Sequence, residues 1–262
     1  MSHQPPALYA EDKSDQGAPA STPPAVAGLT GTHDLTAAVN ALDLSIDNGT
    51  VDIKAAGPDA KPQAVWEITA NGGPNAAPAD TLQLYIDQQP SGKLKIYDKY
   101  TGSKLASNPQ IHLTLTLPAT VPVDASLGNG KLNIDSNAKL SASLGNGTLT
   151  LAGSYPASDV SVGNGTLKGD VLLSAGKHDL SVGNGTIDLG LRSGSDLVYS
   201  ADSGMGTITL GGLPGKVEHA LVTQSASGKL GSGAGKLDIS IGHGSVKLHD
   251  ASGAAAADSK TA

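Results

Sequence analysis

Short alternations of apolar and polar residues run through most of the chain from residue 42 onward and predict β-strands. Leu, Val and Ile occupy every second position, and Gly, Pro and Asn separate the segments. The clearest segments upstream are 42–46, 51–53, 82–86, 94–96 and 111–117. Because no amphipathic helical pattern accompanies them, we expect an all-β fold.

From residue 123 the alternation becomes a repeat centred on Gly-Asn-Gly. Intact triplets lie at 128–130, 145–147, 163–165 and 183–185, with variants at 47–49, 204–206 and 242–244. Successive central residues from 129 to 205 are 17, 18, 20 and 21 residues apart. The last interval, 38 residues, holds two units of 19, and residues 227–230 fit as a degenerate copy. The 81 residues between Asn48 and Asn129 leave room for about four more units.

The triplets predict structural turns, because Asn and Gly tolerate positive φ. The residues to which we assign this role are Asn48, Gly49, Gly128, Asn129, Gly130, Gly145, Asn146, Gly147, Gly163, Asn164, Gly165, Gly183, Asn184, Gly185, Gly204, Gly206, Gly242 and Gly244.

Two architectures are compatible with such turns. Near-constant unit length and near-identical triplets favour a right-handed β-solenoid, or β-helix-like repeat, with about 17–21 residues per coil. Asn residues stacked at one position could then form a hydrogen-bonded ladder. The alternative is an antiparallel repeat sheet, in which each triplet is a hairpin turn.

The apolar residues on either side of a triplet are five positions apart, as in Leu144 and Leu149. In one straight strand an odd separation puts two side chains on opposite faces. We therefore expect a bend or bulge at the triplet that turns both side chains into one core.

Composition divides the chain into four parts. Residues 1–28 and 251–262 are predicted to be disordered tails, because they are rich in Pro, Ala and Ser without periodicity. Residues 29–122 form an N-terminal β-strand region continuous with the repeat region at 123–250. With no Phe and one Trp, the core should consist of Leu, Val, Ile and Ala.

The motifs at 44–53, at 111–123 and in the triplets from 128 to 244 resemble those of the bacterial putative-adhesin β-strand-repeat family, a domain of unknown function. The resemblance covers residues 29–250. It implies a right-handed solenoid-like domain, often located at the cell envelope, with no catalytic residues to transfer. Many such proteins carry a signal or membrane helix, which this sequence does not show.

Several short motifs match part of the pattern of a known functional site but lack the other features that such a site requires. Four Asn-Gly-Thr sequons, beginning at Asn48, Asn146, Asn164 and Asn184, are explained by turn chemistry. Residues 231–236 resemble a phosphate loop, but Leu237 stands where Ser or Thr is required. The seven His residues are scattered and are expected to be solvated or stacked at a corner. We expect no metal, no cofactor and no catalytic site.

An enzyme of this type would be a polysaccharide-cleaving β-helix with carboxylates clustered on one face. In this chain we expect the acidic residues not to share one position of the repeat. They are Asp135, Asp159, Asp170, Asp179, Asp188, Asp196 and Asp238. A net charge of −7 argues against nucleic acid as a partner.

The sequence therefore predicts a non-catalytic, adhesin-like repeat protein that presents an elongated surface to a protein or glycan partner. The alternative is an intracellular or envelope-stress scaffold that binds a partner or self-associates through its solenoid ends; a carbohydrate-active enzyme is disfavoured. Without an apparent signal peptide or transmembrane segment, a cytoplasmic location is expected. The family resemblance favours the cell envelope instead.

Overall fold

The computed structural model describes residues 25–27, 29–35, 39–57, 60–71, 82–101 and 108–252, and within them the fold is all-β. Fifteen strands and no helix occur in these ranges. The strands are β1 (Ala25–Ala27), β2 (Thr30–Asp34), β3 (Ala41–Ala55), β4 (Gln63–Asn71), β5 (Leu82–Gln88), β6 (Lys93–Tyr100), β7 (Asn108–Leu117), β8 (Val123–Ser136), β9 (Leu140–Tyr155), β10 (Ser158–Leu173), β11 (Lys177–Leu191), β12 (Leu197–Gly211), β13 (Gly215–His219), β14 (Gln224–Leu230) and β15 (Gly235–Asp250).

The predicted tails fall mostly beyond these ranges. Residues 1–24 and 253–262 lie outside the described part of the chain. Residues 25–27 of the predicted N-terminal tail form β1, which pairs with β5.

The triplet-bearing strands lie side by side in parallel, in the order β3, β8, β9, β10, β11, β15, β12. Equivalent positions of the repeat are direct neighbours; Asn146, for example, lies between Asn129 and Asn164. No triplet is a hairpin turn, because both halves of each triplet strand run in one direction. The antiparallel alternative therefore does not describe these seven strands.

Both halves of each repeat strand contribute to one core. In β9, Leu140, Ala142 and Leu144 are buried before the triplet, and Leu149 and Leu151 are buried after it. The inward-facing positions thus change from even to odd across the triplet, where Gly147 has a φ of 136°. A non-Gly residue rarely adopts this φ, so the glycine permits the change of face.

The order of the strands departs from the order of the sequence at two places. Asn129 neighbours Asn48 directly, so the four extra units expected between them are not inserted in the stack. His243, in the C-terminal strand β15, lies between Asn184 and Met205. The predicted degenerate copy at 227–230 belongs to β14, which pairs antiparallel with β12.

The residues upstream of the repeat extend the sheet in two branches from β3. Its first half pairs with β6, which leads antiparallel to β5 and β1. Its second half pairs with β7, which leads antiparallel to β4 and β2. The upstream strands therefore widen one end of the sheet.

The core is a layer of aliphatic side chains, as composition predicts, with two tyrosines added. Tyr155 and Tyr199 are fully buried. The Tyr155 hydroxyl donates to the carbonyl oxygen of Ala152 at 2.6 Å and lies 3.1 Å from that of Ile134. Burial raises the pKa of the Tyr155 phenol, so it stays a neutral hydrogen-bond donor.

Candidate binding surface

The central residues of the triplets form a ladder of side-chain hydrogen bonds across the parallel strands. Each Asn donates its Nδ2 to the Oδ1 of the preceding one in the stack. The four bonds join Asn129 to Asn48 (2.9 Å), Asn146 to Asn129 (2.8 Å), Asn164 to Asn146 (3.0 Å) and Asn184 to Asn164 (2.9 Å). At one end Asn48 Nδ2 donates to the Tyr100 hydroxyl at 3.2 Å. Beyond Asn184 the row continues with His243 and Met205, which end the amide ladder.

The glycines of the triplet permit close contact between neighbouring strands. A Cβ added at Gly147 would overlap the carbonyl oxygen of Gly130, and one at Gly145 would overlap that of Gly128. The same relation recurs at the other triplets, so the glycines serve stacking as well as backbone conformation. These residues are therefore structural supports for the surfaces on either side of them.

The first half of each repeat strand presents a flat outward surface, here called the Ser–Asp face. Its two rows occupy alternate, non-buried positions of the seven parallel strands. One row consists of Ser45, Ser126, Ser143, Ser161, Ser181, Ser240 and Asp202. The other consists of Asp43, Asp124, Ser141, Asp159, Asp179, Asp238 and Ser200.

The second row corrects the expectation that the acidic residues share no repeat position, because Asp159, Asp179 and Asp238 are consecutive in register. Lysines on the same strands partly neutralise them. Lys177 Nζ lies 2.9 Å from Asp179, and Lys236 Nζ lies 2.6 Å from Asp238. The hydrogen bond from Lys236, followed by one from Ser200, lowers the pKa of Asp238. The row is therefore a line of carboxylates and serines, in which Asp179 and Asp238 each pair with a lysine two positions earlier on the same strand.

The second half of each strand presents another outward surface, here called the Thr face. Its two rows extend beyond the seven parallel strands onto β7, β4 and β2. The first row consists of Thr30, Glu67, His112, Thr50, Lys131, Thr148, Thr166, Thr186, Ser245 and Thr207. The second consists of Thr32, Val65, Thr114, Asp52, Asn133, Thr150, Lys168, Asp188, Lys247 and Thr209.

A groove of about 500 Å³ lies on the Thr face where its rows cross β2, β4, β7 and β3. Its lining consists of Thr30, Gly31, Thr32, Thr50, Asp52, Val65, Trp66, Glu67, His112, Leu113 and Thr114. The chain's one tryptophan, Trp66, packs over Gly31, where a Cβ would overlap the indole. Glu67 and His112 face each other across β4 and β7. Neither side chain makes a hydrogen bond or ion pair with another described residue.

A second polar cluster joins the C-terminal strand to its neighbours. His249 Nδ1 lies 3.3 Å from Asp188 Oδ1, and His249 Nε2 lies 3.6 Å from Asp170 Oδ1. Asp170 and His249 meet across Gly190, where a Cβ would collide with both side chains. Lys247 Nζ, 3.4 Å from Asp188, adds a positive charge.

The phosphate-loop look-alike at 231–236 surrounds a carboxylate of the chain itself. The backbone N–H groups of Gly233 and Ala234 and the Ser232 hydroxyl donate to Asp196. These bonds, led by that from Ser232, lower the pKa of the Asp196 carboxyl. The loop amides are thus already occupied by an internal anion.

Histidine placement differs from expectation at one position, because His178 is fully buried rather than solvated or at a corner. Its Nδ1 lies 3.0 Å from Ser158 Oγ, and its Nε2 lies 3.2 Å from the Ser174 carbonyl oxygen. A carbonyl only accepts, so Nε2 carries the proton and Nδ1 accepts from the serine. Burial lowers the pKa of His178 and keeps the ring neutral.

The described residues contain neither a metal-binding cluster nor a membrane-spanning helix. No group of three or more His, Cys, Asp or Glu side chains among them is placed to hold a metal ion. In the same part of the chain, no helix is long and apolar enough to cross a membrane.

The comparisons with known proteins are sparse. No protein-family model matches the chain, and no curated protein matches it. One similar crystal structure is that of a protein described as a putative cell adhesion protein, from Clostridium sporogenes. It is 12% identical with a TM-score of 0.38, over 87% of this chain and 99% of that one. A protein described as a putative adhesin, from Bacteroides fragilis, is 10% identical with a TM-score of 0.28, over 86% and 97%. At these TM-scores neither similarity establishes a shared function.

Proposed function

We propose that the chain is a non-catalytic, adhesion-type binding protein whose parallel strands wind as a β-solenoid of 17–21 residues per coil. The short links between neighbouring strands support the winding. Only residues 137–139 join β8 to β9, although the starts of these parallel strands are paired. A flat sheet would need a crossover of about a dozen residues. The chain can return within three residues only if each long strand bends around the core.

The observation that carries the binding role is the unbroken register of the outward rows on both faces. Seven parallel strands at ~4.8 Å spacing give each row a length of about 29 Å. Small hydroxyl side chains dominate the central strands, so these rows form shallow, repetitive surfaces. Such a surface suits an extended partner that repeats its own contacts. An adhesion role further requires exposure at the cell envelope.

Binding can be tested with purified chain on an array of glycans and extracellular proteins, together with two matched double variants. Ser143→Lys with Ser161→Lys places two bulky charges on the Ser–Asp face. Thr148→Lys with Thr166→Lys does the same on the Thr face of the same two strands. We expect one double variant to lose binding while the other retains it.

If neither pair affects binding, or if the array shows no ligand, the proposed surface role is wrong. Surface labelling of native cells tests the location independently. Labelling of the chain in intact cells is expected; labelling only after lysis would contradict an envelope role.

The open edge of β12 favours self-association as a second candidate function. Its first half pairs with β14 and β15, whereas residues 205–211 pair with β15 alone in the described part of the chain. The Ile208 N–H on this edge is covered by the Gln224 side chain, which accepts its hydrogen bond at 2.7 Å. An edge of this kind is a template for a further strand.

Gln224→Ala should uncover the edge and increase association. Light scattering across a concentration series measures the effect, and Gln83→Ala serves as a control distant from this edge. A monomer at every concentration in both the parent and Gln224→Ala chains would eliminate self-association through β12.

A further inference from the structure

We propose that the groove formed by β2, β4, β7 and β3 binds a neutral saccharide chain. This inference rests on the proposed function, because it assigns a ligand class to one end of the Thr face. The groove has a volume of about 500 Å³, and polar side chains from four strands converge on it.

The geometry of the groove suits a linear ligand. Its walls are the two rows of the Thr face, separated by one intervening residue, or about 6.6 Å along each strand. Its floor lies between the rows and includes Gly31 and Leu113. Four strands give it a length of about 14 Å across the sheet. Because a pyranose ring in an extended chain is about as long as the spacing between strands, successive sugars could meet successive strands.

The chemistry of the lining favours sugar hydroxyls. Thr30, Thr32, Thr50 and Thr114 offer hydroxyl groups that can both donate and accept. The Glu67 carboxylate accepts only, and His112 adds ring nitrogens on the opposite strand. Since neither side chain is engaged by another described residue, both are available to a ligand.

Charge narrows the ligand class to neutral saccharides. The lining contains two carboxylates, from Asp52 and Glu67, and neither Lys nor Arg. Asp52 already accepts a hydrogen bond from Asn133 Nδ2 at 2.7 Å, which leaves Glu67 as the free acceptor. An anionic polymer would meet like charges here without a compensating cation.

Tryptophan fluorescence gives a local assay, because Trp66 is the chain's one tryptophan, belongs to the groove lining and packs against the core between the two rows. The probes are cello-, chito- and malto-oligosaccharides of two to six sugars, with polygalacturonate as the anionic comparison. We expect saturable changes in emission with at least one neutral series and none with polygalacturonate. No change with any neutral series, confirmed by calorimetry, would overturn the proposal.

Two groove variants and one matched control locate the binding. Glu67→Gln removes the charged acceptor with little change in size, and it should weaken binding by about tenfold. Thr114→Arg fills the groove and should abolish binding. Thr150→Arg lies in the same row as Thr114 but on β9, outside the groove, and should bind short sugars like the parent. Circular dichroism verifies that each variant is folded, and an equal loss in Thr150→Arg would overturn the location.

The length series separates this inference from the proposed function. If affinity increases with oligosaccharide length only up to about three sugars, and if Thr114→Arg abolishes binding, the groove is the binding site. Such a result would give no binding role to the rest of the Thr face. Array binding that survives Thr114→Arg but fails in Thr148→Lys with Thr166→Lys supports the elongated surface and refutes the groove.

Discussion

Replacing Asn146 and Asn164 with alanine, singly and together, tests whether the amide ladder stabilises the stacked strands. Asn146 donates to Asn129 and accepts from Asn164, and Asn164 accepts in turn from Asn184. Each single variant thus removes two ladder hydrogen bonds, whereas the double variant removes three because the bond between the two residues is shared. The sum of the two single-variant losses in stability can therefore be compared with the loss in the double variant.

The magnitude follows from the number of bonds and their exposure. A net intramolecular hydrogen bond contributes about 0.5–1.5 kcal/mol, and these exposed bonds should lie near the lower end because water can replace them. We expect each single variant to lower the free energy of unfolding by about 1 kcal/mol and the double variant by about 1.5 kcal/mol. The shortfall from additivity, about 0.5 kcal/mol, is the shared bond.

Urea unfolding followed by circular dichroism measures the three free energies. Ser143→Ala with Ser161→Ala is the control, because these serines lie on the same strands but outside the ladder. The control should change stability by less than about 0.5 kcal/mol. Strictly additive losses would show that the bond between Asn146 and Asn164 does not contribute, and losses no larger than the control's would refute a stabilising ladder.

Three further changes probe particular contacts. Gly147→Ala should destabilise the chain by more than about 3 kcal/mol or prevent folding, because the new Cβ strains a positive φ and meets the Gly130 carbonyl; thermal unfolding measures it. His178 has a pKa below its unfolded value, so its contribution should be complete above about pH 6.5 and decline as pH falls, and His178→Gln should flatten this part of the stability–pH curve. Gly190→Ala should displace Asp170 from His249, shift the His249 ring resonances in NMR spectra and lower the melting temperature, whereas Gly57→Ala, in a link where an added Cβ meets no neighbouring atom, should change neither.

The repeat positions could be predicted from sequence wherever the triplet is present. Counting back five residues from each triplet centre reaches Asp159, Asp179 and Asp238, so the acidic row was visible in the sequence. It is missed when acidic residues are compared without first aligning the triplets. The change of face at the triplet could also be predicted, from the five-residue spacing of the apolar residues. Both features can be predicted because each depends on the sequence of a single coil.

The groove could not be found in this way, because β2, β4 and β7 carry no triplet. Glu67 and His112 are 45 residues apart in sequence and meet only through antiparallel pairing in the branch attached to β3. Alternation identifies these segments as strands but contains no information on which strand each one pairs with. Long-range pairing therefore determines this site, and local pattern does not.

The position of β15 shows that the repeat alone does not determine the order of the strands in the sheet. Triplets stack because glycines admit the neighbouring carbonyl and because the apolar rows align, and these requirements are nearly the same at every strand. Gly242 accordingly fits against Gly183 as Gly204 fits against Gly242. The local contacts favour stacking in register but discriminate little between adjacent partners.

The choice must come from features outside the triplet, among them the cluster of Asp170, Asp188 and His249, which requires β15 beside β11. The order of strands in the sheet can therefore differ from their order in the sequence even when the repeat is regular. The repeat determines the register between neighbouring strands more strongly than it determines which strands become neighbours.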